Sequence, residues 1–146
     1  MRCNNKVTLV QGMSTKSLKK AGLKVTLPRM RILDILESAE ANEHHMSAED
    51  VYRALLHAGE EIGLATVYRV LTQFEAAGLV IRHHFDGGTA VFELDTGDNH
   101  SHIVCMKSGA VAEFTDPAIE ARLQDIASDL GYQLNNYNLV LYGIKQ

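Results

Sequence analysis

Two imidazoles separated by one residue, His100-Ser101-His102, are the first groups in the chain whose type and spacing suggest chemistry. On an extended chain, residues two apart face the same way, so both rings can reach one point. Carboxylates stand nearby in sequence. Glu93 closes a β-prone run seven residues before His100, and Glu113 lies in a run that can pair with the strand carrying His102. His45 belongs to a polar loop further upstream. Imidazole with carboxylate, and no thiolate required, suits Fe(II), Mn(II), Co(II) or Zn(II). The competing reading leaves His100 and His102 as solvated linker residues and Glu93 as a polar strand end. His83-His84 reads as a polar strand face or a phosphate contact before it reads as a ligand pair. Cys105 reads as a small buried hydrophobe in a strand, and Cys3 as part of a tail. No Ser/His/Asp order, P-loop or dinucleotide glycine pattern occurs.

These residues need elements to position them. The run Gly63 to Gly78 places Val67, Val70, Leu71 and Phe74 at i, i+3, i+4 and i+7, one face of an amphipathic helix. Its other face, Ala65, Thr66, Tyr68, Arg69, Thr72 and Gln73, contains no acid. Such a face can approach phosphates and offer donors and methyl contacts to base edges. Upstream, Ser47-Ala48-Glu49-Asp50 forms a capping box opening a helix with Val51, Leu55 and Leu56. Before it, Pro28 suits the first position of a helix that buries Ile32, Ile35 and Leu36 and runs to about Ser38. Ser17 to Ala21 can form a short helix closed by Gly22. Downstream of Gly78 the period shortens, and two β-prone runs around Asp86-Gly87-Gly88 predict a hairpin. Helix-turn-helix followed by a hairpin is a winged helix, ending near Leu94.

Residues Asp95 to Asn99 read as a hinge-like linker. Beyond it, Ile103–Cys105 and Val111–Phe114 predict strands around a turn at Lys107-Ser108-Gly109. Asp116-Pro117 caps a helix with Ile119, Leu123, Ile126, Ala127 and Leu130 on one face, and Asn138 to Ile144 predicts a last strand. A unit of about 45 residues has a marginal core alone. Burial against a second copy answers that, and a two-fold dimer suits a palindromic DNA site. The fold class is therefore α+β: a winged-helix DNA-binding domain over 1–95, with 1–12 as a disordered extension, and a small α/β dimerisation domain over 96–146. The metal site falls at their junction, where it would fix the angle between the two.

The totals fit this division. The 146 residues carry a net charge of -4, but the first 36 hold eight Lys/Arg against the single acid Asp34. A basic arm on an acidic body can touch phosphate locally. Two cysteines, Cys3 and Cys105, argue against a disulfide framework and against zinc held by paired CxxC motifs. No apolar run is long enough to span a membrane, and the N-terminus lacks a signal-peptide core, so a cytoplasmic home is expected.

KKAGLKVTLPR (19–29), HHMSAEDVY (44–52), EEIGLATVYRVLTQFEAAGLV (60–80), FDGGTAVFEL (85–94) and HSHIVC (100–105) resemble the ferric uptake regulator family. The similarity runs from about Leu18 to Gly143, and its central helix motif is highly specific. The resemblance implies a dimeric bacterial repressor that takes a divalent metal as corepressor and grips an A/T-rich inverted repeat in iron-uptake promoters. It implies DNA contacts by Tyr68 and Arg69, with Thr66 on the same face, by Lys24 in the minor groove and by Arg29 on the backbone. It implies a regulatory site of His45, Glu93, His100, His102 and Glu113, the cluster already singled out. One divalent ion per protomer is expected, Fe(II) in vivo, with Mn(II), Co(II) or Zn(II) able to substitute. Higher assembly on DNA is open.

The sequence also departs from the family pattern. Many members hold a structural zinc through a CxxC motif and C-terminal cysteines. Here Cys105 has Ser108 as its partner position, and no cysteine follows. A second family site would fall on Asn99, Ser101, Glu120 and Tyr137, of which only Glu120 keeps a ligand type. Both sites are expected to be absent. Three other functions compete with the iron reading. The same fold could sense Mn(II) or Zn(II), or act as a metal-independent winged-helix module. A hydrolase using His100, His102 and Glu93 lacks a base in a plausible cleft and leaves the basic arm unexplained.

Overall fold

The computed structural model describes residues 14–40, 45–85, 88–97 and 100–146. The expected N-terminal extension with Cys3, His44 in the polar loop, Asp86-Gly87 of the hairpin turn and Asp98-Asn99 of the linker lie outside the described residues. The chain divides into two compact units, one up to Thr96 and one from Gly97 to Gln146.

In the first unit, α1 covers residues 14–20, starting earlier than the Ser17 to Ala21 expected. Ser14, fully buried, hydrogen-bonds Asp34 on the next helix, so the early start is fixed by a tertiary contact rather than by local pattern. Helix α2, Leu27–Glu40, begins one residue before Pro28. Thr26 acts as its cap: the Met30 N–H donates to the Thr26 carbonyl at 3.0 Å. Pro28 thus takes the second position, where its missing N–H is equally harmless. Helix α2 buries Ile32, Leu33 and Leu36, with Ile35 only half-buried against them.

Helix α3, Ala48–His57, has both halves of the expected capping box. The Asp50 N–H donates to Ser47 Oγ at 3.1 Å, and the Ser47 N–H donates to Asp50 Oδ2 at 3.0 Å. Its inner face is Ala48, Val51 and Leu55, whereas Leu56 turns to solvent. Helix α4, Leu64–Ala76, buries Val67, Val70, Leu71 and Phe74, the four positions its period marked. Gly78 ends it at φ 75°, a left-handed conformation that other residues resist. The Leu79 N–H then donates to the Phe74 carbonyl at 2.9 Å.

Strands β1 (Met46–Ser47), β2 (Val80–His83) and β3 (Val91–Leu94) form an antiparallel sheet in the order β1-β3-β2. The two-residue β1 was unforeseen, because two residues of pairing leave no alternation to read. Val80 and Phe92 join the helical core, and the Arg82 guanidinium sits 5.1 Å from the Phe92 ring centroid. Their neighbours alternate to the other face of the sheet.

In the second unit, β4 (Ser101–Cys105) pairs antiparallel with β5 (Val111–Phe114) and parallel with β6 (Val140–Gly143). Helix α5, Pro117–Asp129, lies between β5 and β6 in sequence. Asp116 caps it by accepting from the Ala118 and Ile119 N–H groups, and Pro117 follows as first residue. None of its residues is buried, and Val104 is the buried apolar residue of this unit among those described.

The core of the first unit therefore rests heavily on α4. Replacing fully buried Phe74 by Ala should lower the unfolding free energy by about 3–5 kcal/mol, measured by denaturant titration of the helical signal.

Candidate metal centre and nucleic-acid interface

Within the first unit, sheet register assembles a buried polar group. Met46 and Ser47 pair with Phe92 and Val91, so His45 follows on opposite Glu93. His83 pairs with Val91, which makes Glu93 its diagonal neighbour on the same face. His45 Nε2 stands 2.8 Å from Glu93 Oε2, and His83 Nε2 stands 2.6 Å from Glu93 Oε1. A carboxylate can only accept, so His83 presents its Nε2–H to Glu93, while His45 Nε2 faces the other oxygen without a hydrogen bond's geometry. Glu93 is 3% exposed, a depth at which a carboxylate requires such partners. The Phe85 ring lies parallel to His83, 5.4 Å between centroids.

Within the second unit, His102 pairs directly with Glu113 across β4 and β5. His100 precedes β4 by one residue. Its Nε2 is 3.3 Å from Glu113 Oε1, and that of His102 is 4.0 Å from the same oxygen. The two rings meet edge to face at 5.0 Å. The linker reading of these histidines does not describe them, since each faces a carboxylate and His102 is buried. Donors bound at about 2.0–2.2 Å around one ion stand roughly 3–3.5 Å apart, so both groups suit a divalent cation. Ser101, Glu120 and Tyr137, three of the positions of the second family site, are engaged with one another. The Tyr137 hydroxyl donates to Glu120 Oε1 at 3.3 Å. Burial, then the Glu120 charge, raise the Tyr137 pKa, and Ser101 opposes them.

The expected DNA-contacting residues fall in two places. Tyr68 and Arg69 are exposed on α4 and Thr66 is half-exposed beside them, with the Arg69 Nη2 3.4 Å from Thr66 Oγ1. Lys24 is exposed ahead of α2. Arg29 is half-buried, and its guanidinium ties elements together. It donates to the Lys24 carbonyl at 2.7 Å and to Gln73 Oε1 on α4 at 3.0 Å. The outer face of α4 has an acidic neighbour that its own sequence did not reveal. The Tyr68 hydroxyl donates to Glu49 Oε1 on α3 at 2.5 Å. That bond lowers the Glu49 pKa and raises that of Tyr68.

A winged helix carrying a reader-type helix, with imidazole–carboxylate groups of metal-ligand spacing, has the make-up of a metal-responsive DNA-binding regulator. Comparison with known proteins narrows this. Residues 20–142 match the model of the ferric uptake regulator family. The ferric uptake regulation protein of Pseudomonas aeruginosa is 63% identical over 125 residues, covering 86% of this chain and 92% of that protein. A solved structure of the Pseudomonas aeruginosa ferric uptake regulator with manganese aligns with TM-score 0.81 at 60% identity, over 91% of this chain and 98% of that one. The Francisella tularensis regulator with iron aligns with TM-score 0.77 at 39% identity, over 86% and 93%. The chain belongs to the ferric uptake regulator family, whose members are metal-responsive transcriptional regulators and not enzymes.

Cys105 differs from the buried hydrophobe expected of it. It is half-exposed at the end of β4, and its thiol faces several donors. Bonding from the Lys145 amide, then the Ser108 hydroxyl, then the Ser108 and Lys107 amides, lowers its pKa to about 6. The Lys145 amide first, and then the turn at Lys107-Ser108, thus favour a thiolate at Cys105. Alkylation of Cys105 by iodoacetamide, followed by peptide mass, should rise through about pH 6 and level off near neutrality. An ordinary thiol is still accelerating at about pH 8. Ser108→Ala should move the midpoint upward.

Proposed function

We propose that this chain is a dimeric, cytoplasmic, Fe(II)-dependent transcriptional repressor of iron-uptake promoters. It binds an A/T-rich inverted repeat. One divalent cation per protomer takes its ligands from His45, Glu93, His100, His102 and Glu113, and no cysteine-held structural zinc accompanies it. The observation that carries the reading is that each unit holds its own imidazole–carboxylate group, with the proposed donor atoms 2.8 to 4.0 Å apart. His45 with Glu93, or His100 and His102 with Glu113, supplies too few donors to fill a coordination sphere alone. Drawing on both completes one. When bound, the ion supplies a common anchor for the two groups, and so biases the chain toward a DNA-competent arrangement.

Donor type leaves Fe(II), Mn(II) and Zn(II) all acceptable, and cellular supply decides among them. The manganese-bound relative favours Mn(II) as the second reading. In DNA binding, Tyr68 offers its ring and hydroxyl to base edges, while Arg69, Arg29 and Lys24 face phosphate or the minor groove. Dimerisation rests on the second unit. Among the described residues, eight of the eleven exposed large apolar side chains belong to it, including Ile103 and Leu141, which pair across β4 and β6 on one face.

Gel shift on an A/T-rich palindrome, with and without Fe(II) or Mn(II), tests the reading. Wild type should bind only with metal, and His100→Ala should not respond to metal. Binding without metal would mean a metal-independent module. Arg69→Ala should weaken the metal-loaded complex by about 1–3 kcal/mol. Leu141→Glu should convert the dimer to monomer in light scattering and abolish tight binding to the palindrome. A dimer that survives this change would place the interface elsewhere.

A further inference from the structure

The five proposed ligands leave out a residue held as closely as any of them. His83 was set aside in the sequence as a polar strand residue, yet it is 7% exposed and its Nε2 lies 2.6 Å from Glu93 Oε1. The other carboxylate oxygen, Oε2, faces His45 Nε2 at 2.8 Å. Strand β3 is the middle strand of its sheet, so Glu93 has β1 on one side and β2 on the other. The register commits one oxygen to each side. Stacking on buried Phe85 fixes the plane of the His83 ring.

We propose that His83 is a positioning residue for the metal site. Its Nε2–H holds Glu93 Oε1, so that Glu93 presents Oε2 alone to a divalent cation, beside His45 Nε2. The inference rests on the reading of His45 and Glu93 as metal ligands given above. Ligating carboxylates characteristically have their remaining oxygen hydrogen-bonded, and such outer partners orient the ligand. Were His83 itself to turn onto the ion, Oε1 would lose this donor at a depth where water is scarce. A single-oxygen Glu93 also favours a compact transition-metal sphere over Ca(II), which prefers more oxygens and two-oxygen carboxylates.

The test is Co(II) binding by the full-length protein, followed by visible absorption under chelator competition. The variants are His83→Leu, His83→Gln, Glu93→Ala and Glu93→Ala/His83→Leu. Glutamine keeps an N–H near the position of the imidazole Nε2, and leucine does not. His83→Leu should lose about 10–100-fold in Co(II) affinity. His83→Gln should stay close to wild type. Both should reach the wild-type absorption envelope at saturation, because the ligand set is unchanged. In the Glu93→Ala background His83→Leu should cost nothing further, since its effect passes through Glu93.

Wild-type affinity in His83→Leu would overturn the proposal. So would a loss in His83→Gln equal to that in His83→Leu with an altered envelope, which would make His83 a ligand. Additive losses in the double variant would also overturn it, by reducing His83 to a fold residue. If the leucine variant does not fold, His83→Asn, whose amide is too short to reach Oε1, takes its place. Wild-type Co(II) binding by Glu93→Ala would be a different failure, removing the ligand reading itself.

Discussion

Strand β3 pairs on both edges, Phe92 facing Met46 of β1 on one side and Arg82 of β2 on the other. That pairing constrains the whole first unit. Phe92 must face the helices, because Val80, Leu71 and Phe74 leave an apolar surface there. Strand alternation then sends Glu93 to the opposite face, where only His45 and His83 have the right register to meet it. A slip by one residue would put the carboxylate in the core and the phenylalanine among the imidazoles. Core packing and the polar group are thus one decision. The hydrophobic residues that stabilise the sheet also select the face on which donors collect.

The second unit is built on the opposite balance. Its strands and helix place few apolar side chains inside, and polar groups do much of the joining. Asp116 caps α5, Tyr137 reaches Glu120, and His102 sits across from Glu113. A unit with so little buried apolar surface gains from any further burial, and Ile103, Leu141 and Tyr142 are available for it. The same economy explains the state of Cys105. The Lys145 amide, joined by the hydroxyl and amides of the turn at Lys107-Ser108, favours negative charge on that sulfur whether or not a second sulfur follows. Ser108 therefore changes the chemistry of that turn without dissolving it.

How far the sequence disclosed this depends on the range of each signal. Helix α4 was legible to the residue because four buried positions at helical spacing and a terminal glycine agree with one another. The capping box of α3 was equally plain, since Ser47 and Asp50, three residues apart, carry it. Leu33 and Leu56 show the limit. Which leucine of an apolar pair turns inward depends on the neighbouring helix, and the sequence of α2 or α3 alone does not contain that helix. Strand β1 was invisible at two residues, and with it went the bridge that brings His45 to Glu93. His83 was misjudged for the same reason. A histidine on a wing strand looks like a surface residue until the register shows a buried carboxylate diagonal to it. His100, His102 and Glu113 were easier, because a short hairpin sets their pairing locally.

Glu49 marks where reading one helix at a time fails for function. From Ala65 to Gln73 the outer face of α4 has no acid, which is why that stretch reads as a phosphate-tolerant surface. The fold nevertheless brings a carboxylate to its tyrosine from α3. The physical consequence is not simple repulsion. Glu49 accepts from the Tyr68 hydroxyl, a bond that links the ring on α4 to α3 and favours one orientation of it. Arg29 does the same from the other side, linking the segment before α2 to Gln73 on α4. A reader helix whose side chains are ordered beforehand loses less entropy on meeting a rigid duplex. An acid beside this face costs some attraction to phosphate, while giving the Tyr68 phenol a fixed partner. Net charge on the face therefore understates what it can recognise, since the groups that set orientation lie on neighbouring elements.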